Sequence, residues 1–363
     1  GGLLKDAGSK AKPTSNLLAG GMSEAAAAVP EGEPVLPENL LQEPVAHAEQ
    51  PGAVDAVDVS PWAPLAAVGG QRQVVLYHTE TGQLLGILPY PEGQPRVLRF
   101  SRDGSRLLVG GGHPGALGNT ALFDVKTGMR LATIGEETDA VLAADLSPNQ
   151  SLVALGGPKR TVRTYRIADG QLAYQIEKHT DWVTAIAFSP DGKLLATAGR
   201  GGGIYLWDSA RGLERADLRG HQAMVTSVAW RSDSQILASA SEAGTVRLWQ
   251  TEGKQVKSWQ AHGGGVQSVA FSSTGALVTA GRDGKVRIWQ ADGKHIRDVL
   301  HAPETTLVAR FTHDGARVVA GDWLGNVPLL DAESGETVAS LTPNPPTLAL
   351  RLEQAAAQLA AAT

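Results

Sequence analysis

The feature of this 363-residue sequence that most restricts its fold is a unit that recurs every 41 to 44 residues. The clearest copy, Val266–Trp289, contains three short apolar runs with Gly-containing turns between them, and a fourth run, His295–Leu300, follows. Short runs rich in Val and Ile that are bounded by such turns indicate the antiparallel strands of hairpins. The first strand of each successive copy starts at Val54, Val97, Val141, Val183, Val225, Val266 and Leu307.

Seven copies of a four-stranded unit predict an all-β fold, a closed seven-bladed β-propeller of about 28 strands over residues 54–346. Each unit contains its own four strands in order, the last being Thr337–Leu341. We therefore expect the ring to close by packing of the seventh blade on the first. The alternative is a strand borrowed from Pro44–Ala48, although Pro lacks a backbone donor and is confined to sheet edges.

The repeat carries a family resemblance. Leu206-Trp207-Asp208 and its two later counterparts resemble the Trp-Asp ending of a WD40 repeat, and Gly220-His221 resembles the Gly-His opening. The resemblance covers about Val54 to Pro346 and implies a hydrogen-bonded set of His, Ser or Thr, Asp and Trp in the well-specified repeats. The sixth repeat has all four types, whereas Ala243 and Gly201 replace the Asp in the fifth and fourth. The residues concerned are His262, Thr279, Asp283 and Trp289, then His221, Ser239 and Trp249, then His179, Thr197 and Trp207.

Two segments flank the repeats. Residues 1–53 carry six prolines and an Ala run, which predicts a disordered linker, whereas the Ala, Leu and Gln of residues 347–363 predict a short C-terminal helix. The opening Gly1–Ala11 resembles the end of the haem-c domain in bacterial multidomain proteins that place a c-type cytochrome module ahead of a WD40 propeller. That resemblance implies a longer bacterial protein, with haem c in an upstream domain and a periplasmic or otherwise extracytoplasmic location. Without it, we expect a cytoplasmic protein.

Composition narrows the range of partners and cofactors. The formal net charge is −5, and the first fifty residues hold seven acids against three lysines, so the repeats are near neutral and predict no nucleic-acid partner. No run of 18 apolar residues occurs, which predicts no membrane span. The sequence has no cysteine and no clustered histidines, so we expect no metal site and no cofactor in this chain itself.

No catalytic set is evident in the sequence. His262-Gly263-Gly264-Gly265 resembles an esterase oxyanion motif, but no Gly-x-Ser-x-Gly nucleophile motif accompanies it. We therefore favour a non-catalytic protein–protein interaction scaffold and expect no enzyme activity. Two alternatives remain: a propeller that supports an electron-transfer polypeptide, and a hydrolase whose carboxylates or histidines converge on the central channel.

The candidate binding site is one face of the propeller. The loops that enter strand one and those that join strands two and three emerge on the same face, and they contain Trp and Arg, the residue types most often found as interface hot spots. A protein partner is expected there, and the oligomeric state is left open. The candidate residues are Trp182, Trp323, Arg160, Arg200 and Arg282, whereas Trp62 belongs to the opposite face.

Overall fold

The computed structural model describes residues 33–47 and 52–362. Over these residues the chain forms seven four-stranded antiparallel sheets and one helix. The predicted seven-bladed, almost entirely β architecture is therefore confirmed. Most of the predicted linker, including the opening Gly1–Ala11, lies outside the described residues.

The strands follow one another in blade order. In blades one and two they are β1 Val57–Val59, β2 Leu65–Gly70, β3 Gln73–His78, β4 Leu84–Pro89, β5 Gln94–Phe100, β6 Arg106–His113, β7 Leu117–Asp124 and β8 Arg130–Glu137. In blades three and four they are β9 Ala143–Leu146, β10 Leu152–Gly156, β11 Val162–Arg166, β12 Leu172–Ile176, β13 Val183–Phe188, β14 Leu194–Gly199, β15 Ile204–Asp208 and β16 Glu214–Asp217. In blades five and six they are β17 Val225–Trp230, β18 Ile236–Ser241, β19 Thr245–Gln250, β20 Gln255–Gln260, β21 Val266–Phe271, β22 Leu277–Gly281, β23 Lys285–Trp289 and β24 His295–His301. Blade seven consists of β25 Thr306–Phe311, β26 Arg317–Asp322, β27 Val327–Asp331 and β28 Thr337–Leu341.

The hydrophobic core lies between neighbouring blades. Second strands such as Ile236–Ser241 are buried along their whole length, whereas fourth strands such as Gln255–Gln260 are largely exposed. Apolar clusters join residues of two blades, as when Leu122 of blade two packs with Val153 of blade three. Because each blade buries its faces against its neighbours, stability depends on an unbroken ring.

The ring closes as predicted, with β25–β28 forming the seventh sheet without a borrowed strand. At the seam the Val54 N–H donates to the Asp322 carbonyl at 3.0 Å, and the Tyr77 hydroxyl donates to the Thr342 carbonyl at 2.8 Å. In the alternative closing segment, Val45 donates its N–H to the side chain of Gln73 in blade one at 2.8 Å. The described part of Pro44–Ala48 adds no strand to blade seven.

Residues 33–47, within the stretch for which the sequence predicts a linker, lie against blades one and two; we call them the strap. Leu40 is 7% exposed and occupies a groove opened by two glycines, since a Cβ on Gly86 would stand 2.2 Å from the Leu40 Cβ. The second glycine, Gly128, has a φ of +69° and would place a Cβ 2.5 Å from Leu40 Cδ2. Beside them the Ile87 N–H donates to the Leu41 carbonyl at 2.8 Å.

One helix, α1 (Leu348–Ala362), follows the last blade and contacts the strap. The Leu348 N–H donates to Glu43 Oε2 at 2.9 Å, and the Arg351 guanidinium donates to the Gln42 carbonyl. The strap and the first turn of the helix thus meet. Among the described residues, no helix has the length and apolar character that crossing a membrane requires.

Candidate functional site

The loop face, defined by the turns before strand one and between strands two and three of each blade, carries all five predicted binding residues. Trp182 precedes β13, and the other four lie between the second and third strands of their blades. The five side chains come from blades three, four, six and seven, so they spread over more than half of the ring. None of them lines the cavity of the central channel.

Trp182 and Arg200 are brought together within blade four. The Arg200 guanidinium lies over the Trp182 ring at 5.0 Å, and the Arg200 N–H donates to the Trp182 carbonyl at 2.8 Å. The indole nevertheless remains 41% exposed. A cation held against an exposed indole offers both apolar area and charge to a partner.

Trp323 forms an apolar tip with a neighbour that the sequence reading missed. Trp323 is 61% exposed and Leu324 beside it is 48% exposed. The turn is held by Asp322, whose Oδ1 accepts the N–H groups of Leu324 at 2.9 Å and Asn326 at 2.8 Å. The turn therefore presents a small exposed apolar patch made of two adjacent large side chains. Exposed apolar patches are typical of interaction sites. The signal that could have found Leu324 was its place next to Trp in the same turn.

The remaining two arginines differ in their surroundings. Arg282 forms an ion pair with Glu242 of the preceding blade. Arg160 is exposed at the tip of its turn, with a φ of +65°, and its side chain has no ion-pair partner among the described residues. Exposed ion pairs contribute little to stability, so breaking the Arg282–Glu242 pair would cost the fold little.

The channel mouth on the loop face is shaped by a β-bulge that recurs at the start of strand one. The strand pairing skips one residue there in blades two, four, five, six and seven. A bulge re-aims a side chain without changing the rest of the strand. The skipped residues all line the channel, and they are Arg96, Thr184, Thr226, Gln267 and Leu307.

Two of these bulged residues also tie blades together. The Thr184 hydroxyl lies 2.5 Å from the Val225 carbonyl of the next blade, and the Thr226 hydroxyl lies 2.8 Å from that of Val266. In blade two, Arg96 instead donates to Asp55 Oδ2 of blade one at 3.0 Å. The mouth is therefore part of the ring's structure, which sequence reasoning did not predict because a bulge leaves no distinctive residue type.

Deeper in the channel, two carboxylates meet two arginines from different blades. Arg310 Nε lies 3.6 Å from Asp58 Oδ1, and Arg99 Nε lies 3.9 Å from Asp145 Oδ1. Burial raises the pKa of Asp145 to about 6, whereas burial and the charge of Arg99 lower the pKa of Arg310 to about 10. Each carboxylate also accepts a backbone N–H, from Phe100 at 2.8 Å or Phe188 at 2.7 Å.

This charged cluster bears on the hydrolase alternative, which requires carboxylates that converge on the channel. Carboxylates do converge in the channel. Asp58 and Asp145, however, each accept a backbone hydrogen bond from the first strand of the next blade, and each lies within 4 Å of an arginine side chain. These contacts link blade one to blade two and blade three to blade four. The arrangement therefore serves as electrostatic support between blades.

The predicted polar set is present in blade six, with one additional member. His262 Nε2 lies 2.7 Å from Thr279 Oγ1, which accepts the Trp289 indole N–H at 2.9 Å. His262 Nδ1 lies 2.8 Å from Asp283 Oδ1. The additional member is Arg287, which donates to Asp283 Oδ2 at 2.8 Å.

Blades five and four contain shorter versions of this set. His221 Nε2 lies 2.7 Å from Ser239 Oγ, which accepts the Trp249 indole N–H at 2.8 Å. Where the Asp is missing, Thr245 Oγ1 lies 3.4 Å from His221 Nδ1. In blade four the corresponding contacts join His179, Thr197 and Trp207.

Burial lowers the pKa of His179 and of His221 to about 4, with Arg247 adding to the effect on His221. Burial likewise lowers the pKa of His262, against an opposing effect of Asp283. All three rings are therefore neutral near pH 7 and have a structural role.

Two segments of the chain match known family models. Residues 144–233 match the anaphase-promoting complex subunit 4 WD40 domain, and residues 253–290 match the WD domain, G-beta repeat. A curated relative is the eukaryotic translation initiation factor 3 subunit I of Coccidioides immitis (strain RS), 40% identical over 84 residues. The aligned part spans 23% of this chain and 24%, about a quarter, of that relative.

The recurring blades and the His–Ser/Thr–Trp sets resemble those of the β-propellers built of WD40 repeats. The family matches fall on blades three to six, and the sets are found in blades four, five and six. The chain is a seven-bladed β-propeller, and segments of its blades three to six match WD40 models. Propellers of this class are typically protein-interaction scaffolds and are generally non-catalytic.

Proposed function

We propose that this propeller is a non-catalytic scaffold that binds a protein partner through its loop face. The observation that carries the proposal is the exposure of large apolar side chains there, with Trp323 at 61%, Leu324 at 48% and Trp182 at 41%. Trp and Arg dominate the energetics of protein interfaces, and Arg160, Arg200 and Arg282 accompany these side chains. The near-neutral charge of the repeats favours a protein over a nucleic acid as the partner.

The similar proteins support the same proposal. Both the anaphase-promoting complex subunit 4 and the translation initiation factor 3 subunit I are, by name, subunits of larger assemblies. The repeats that this chain shares with them are thus found in proteins that function alongside others. We extend only that general role to this chain: its propeller holds a partner in an assembly.

A more specific version of the proposal is that this scaffold is a module of a larger bacterial, extracytoplasmic protein with a c-type cytochrome module. Its support is the resemblance of Gly1–Ala11 to the end of a haem-c domain. In addition, the sequences of Ser60–Pro64 and Val68–Arg72 resemble those in the propellers of such proteins. The test is the full reading frame. A Cys-x-x-Cys-His motif upstream of Gly1 is expected, and a frame without one contradicts this version.

The scaffold proposal is tested by a double substitution, Trp182→Ala with Trp323→Ala. We expect the variant to lose the partner that the wild-type chain captures from native extract, because two exposed hot-spot side chains each contribute about 2 kcal/mol or more at an interface. The melting temperature should change little, since neither indole belongs to the apolar core.

A matched control replaces two apolar side chains on the opposite face that are at least as exposed, Met129→Ala with Leu213→Ala. They are 61% and 56% exposed and lie in turns between third and fourth strands. This control should retain the partner. Retention by the Trp182/Trp323 variant, or equal loss by both variants, contradicts the assignment of the site to the loop face.

A further inference from the structure

The face opposite the loop face contains a cavity of about 380 Å³ at the other end of the channel. This size lies within the range of about 300–1,000 Å³ that is typical of ligand pockets. Four aromatic side chains from four blades line it, and they are Trp62, Trp230, Phe271 and Phe311. Such a concentration of aromatic surface is uncommon in this chain, of which aromatic residues form 5%.

The two indoles offer apolar faces to the cavity because their N–H groups are already hydrogen-bonded. The Trp62 indole donates to the Arg102 carbonyl, and the Trp230 indole donates to the Ala187 carbonyl at 3.1 Å. The Arg102 guanidinium in turn donates to the Pro190 carbonyl at 2.8 Å, from blade two to blade four. The aromatic walls are therefore held in place from several blades, which pre-organises the cavity.

Polar groups among the lining residues favour an anion. Arg310 and Arg102 contribute two positive charges, and Asp58 contributes the one negative charge among the lining residues. Arg310 is ion-paired with Asp58, its Nε lying 3.6 Å from Oδ1, and its Nη1 donates to the Ala309 carbonyl at 3.0 Å. The lining residues together carry one more positive than negative charge beside the apolar walls.

Two buried polar atoms of the lining lack partners. Ser232 Oγ and His313 Nδ1 have no hydrogen bond within the part of the chain that the structure describes. Buried polar atoms are nearly always paired in folded proteins, so an unpaired pair at one cavity points to a ligand that completes them. A hydroxyl, an imidazole N–H and a guanidinium are all donors to a carboxylate.

We propose that this cavity binds the carboxyl-terminal end of a partner polypeptide whose last residue is aromatic. The aromatic side chain packs among Trp62, Trp230 and Phe311, and the terminal carboxylate accepts from Arg310, Ser232 and His313. A chain end carries both groups on one residue, so a single terminal residue can contact the aromatic walls and the donors together. This site is separate from the loop face, so one propeller joins two partners.

The test is calorimetric titration of the intact chain with three probes. These are acetyl-Gly-Gly-Phe with a free carboxylate, the same peptide as its amide, and N-acetylphenylalanine. We expect the free acid to bind with a Kd below about 1 mM and at least about tenfold more tightly than the amide, because a charge-assisted contact is lost. No heat from the free acid, or equal affinity for acid and amide, overturns the proposal. Equal affinity of N-acetylphenylalanine and the tripeptide acid overturns the chain-end assignment in favour of a small aromatic acid.

Variants assign the binding to this cavity. Trp62→Ala should weaken the free acid at least about tenfold, whereas Trp323→Ala, the matched Trp of the loop face, should leave it unchanged. Ser232→Leu fills the cavity from a loop position and should also abolish binding, which keeps the test decisive if Trp62→Ala is unstable. Unaltered binding in Ser232→Leu, or loss in Trp323→Ala, contradicts the site. Because capture through the loop face does not require Trp62, failure here and failure of the scaffold proposal give different results.

Discussion

At the scale of single residues, the polar set of blade six shows what a complete set of His, Thr, Asp and Trp adds to an apolar core. His262 contacts Thr279 through one ring nitrogen and Asp283 through the other, so both nitrogens are paired. Blade five replaces the carboxylate with the longer contact of Thr245. The WD40 resemblance implied the members of each set, whereas it did not imply Arg287 and Thr245, which contact the imidazole ring from the third strand.

We expect Asp283→Ala to lower the free energy of unfolding by about 1–3 kcal/mol, because it removes the carboxylate that pairs with both the buried His262 and the Arg287 guanidinium. Urea unfolding measures the loss. Asp283→Asn is the matched control, since its amide oxygen still accepts from His262, and it should be less damaging. An unchanged unfolding midpoint in Asp283→Ala contradicts the role of this carboxylate.

The lowered pKa of His221 predicts a pH dependence. Its pKa is about 4 in the folded chain, below the ordinary value of 6.5, so the unfolded chain binds a proton more readily. The stability that the neutral ring contributes is therefore complete above about pH 6.5 and is lost as the pH falls toward 4, roughly 2 kcal/mol of it by pH 5. The loss of stability between pH 7.5 and pH 5 should be smaller in His221→Gln than in the wild-type chain.

This comparison isolates His221 from groups that titrate in the same range. Asp145 has a pKa raised to about 6, so it adds stability as the pH falls and opposes the histidines. Its contribution is common to both proteins and cancels in their difference. Equal pH slopes for variant and wild type would show that His221 titrates alike in the folded and unfolded chains.

At the scale of elements, the blades were predictable and the strap was not. Because the blade unit occurs seven times, the strand boundaries inferred for one copy can be checked against the other six. The strap occurs once, in a Pro-rich stretch whose composition is typical of a linker, and its binding groove is created by the missing side chains of Gly86 and Gly128. A groove made by glycines far away in the sequence cannot be recognised from the segment that fills it.

Leu40→Ala should destabilise the chain by about 2 kcal/mol, because it removes the side chain that fills this groove and leaves a cavity. The adjacent Leu41→Ala is the matched control: Leu41 is 46% exposed, and its contact with Ile87 is made by the backbone. Its melting temperature should stay close to that of the wild type. Equal effects of the two substitutions contradict the packing of the strap.

At the scale of the whole molecule, the ring is a rigid frame that separates two faces. Apolar clusters between blades hold the frame, and loops on either face differ without disturbing it. The sequence predicted which loops share a face, because strand order determines that. It did not predict the recurrent bulges that line the channel or the aromatic cavity on the opposite face, since both depend on how seven blades meet around one axis.

The central claim is that partner binding takes place on the loop face, and hydrogen exchange of the captured complex tests it most directly. Amides of residues 178–184 and 320–326 should exchange more slowly in the complex than in the free chain, because the partner covers the turns of Trp182 and Trp323. Amides of the turns around Met129 and Leu213 on the opposite face should be unchanged. Protection confined to the opposite face or to the outer strands, with exchange at Trp182 and Trp323 unaltered, would contradict the account.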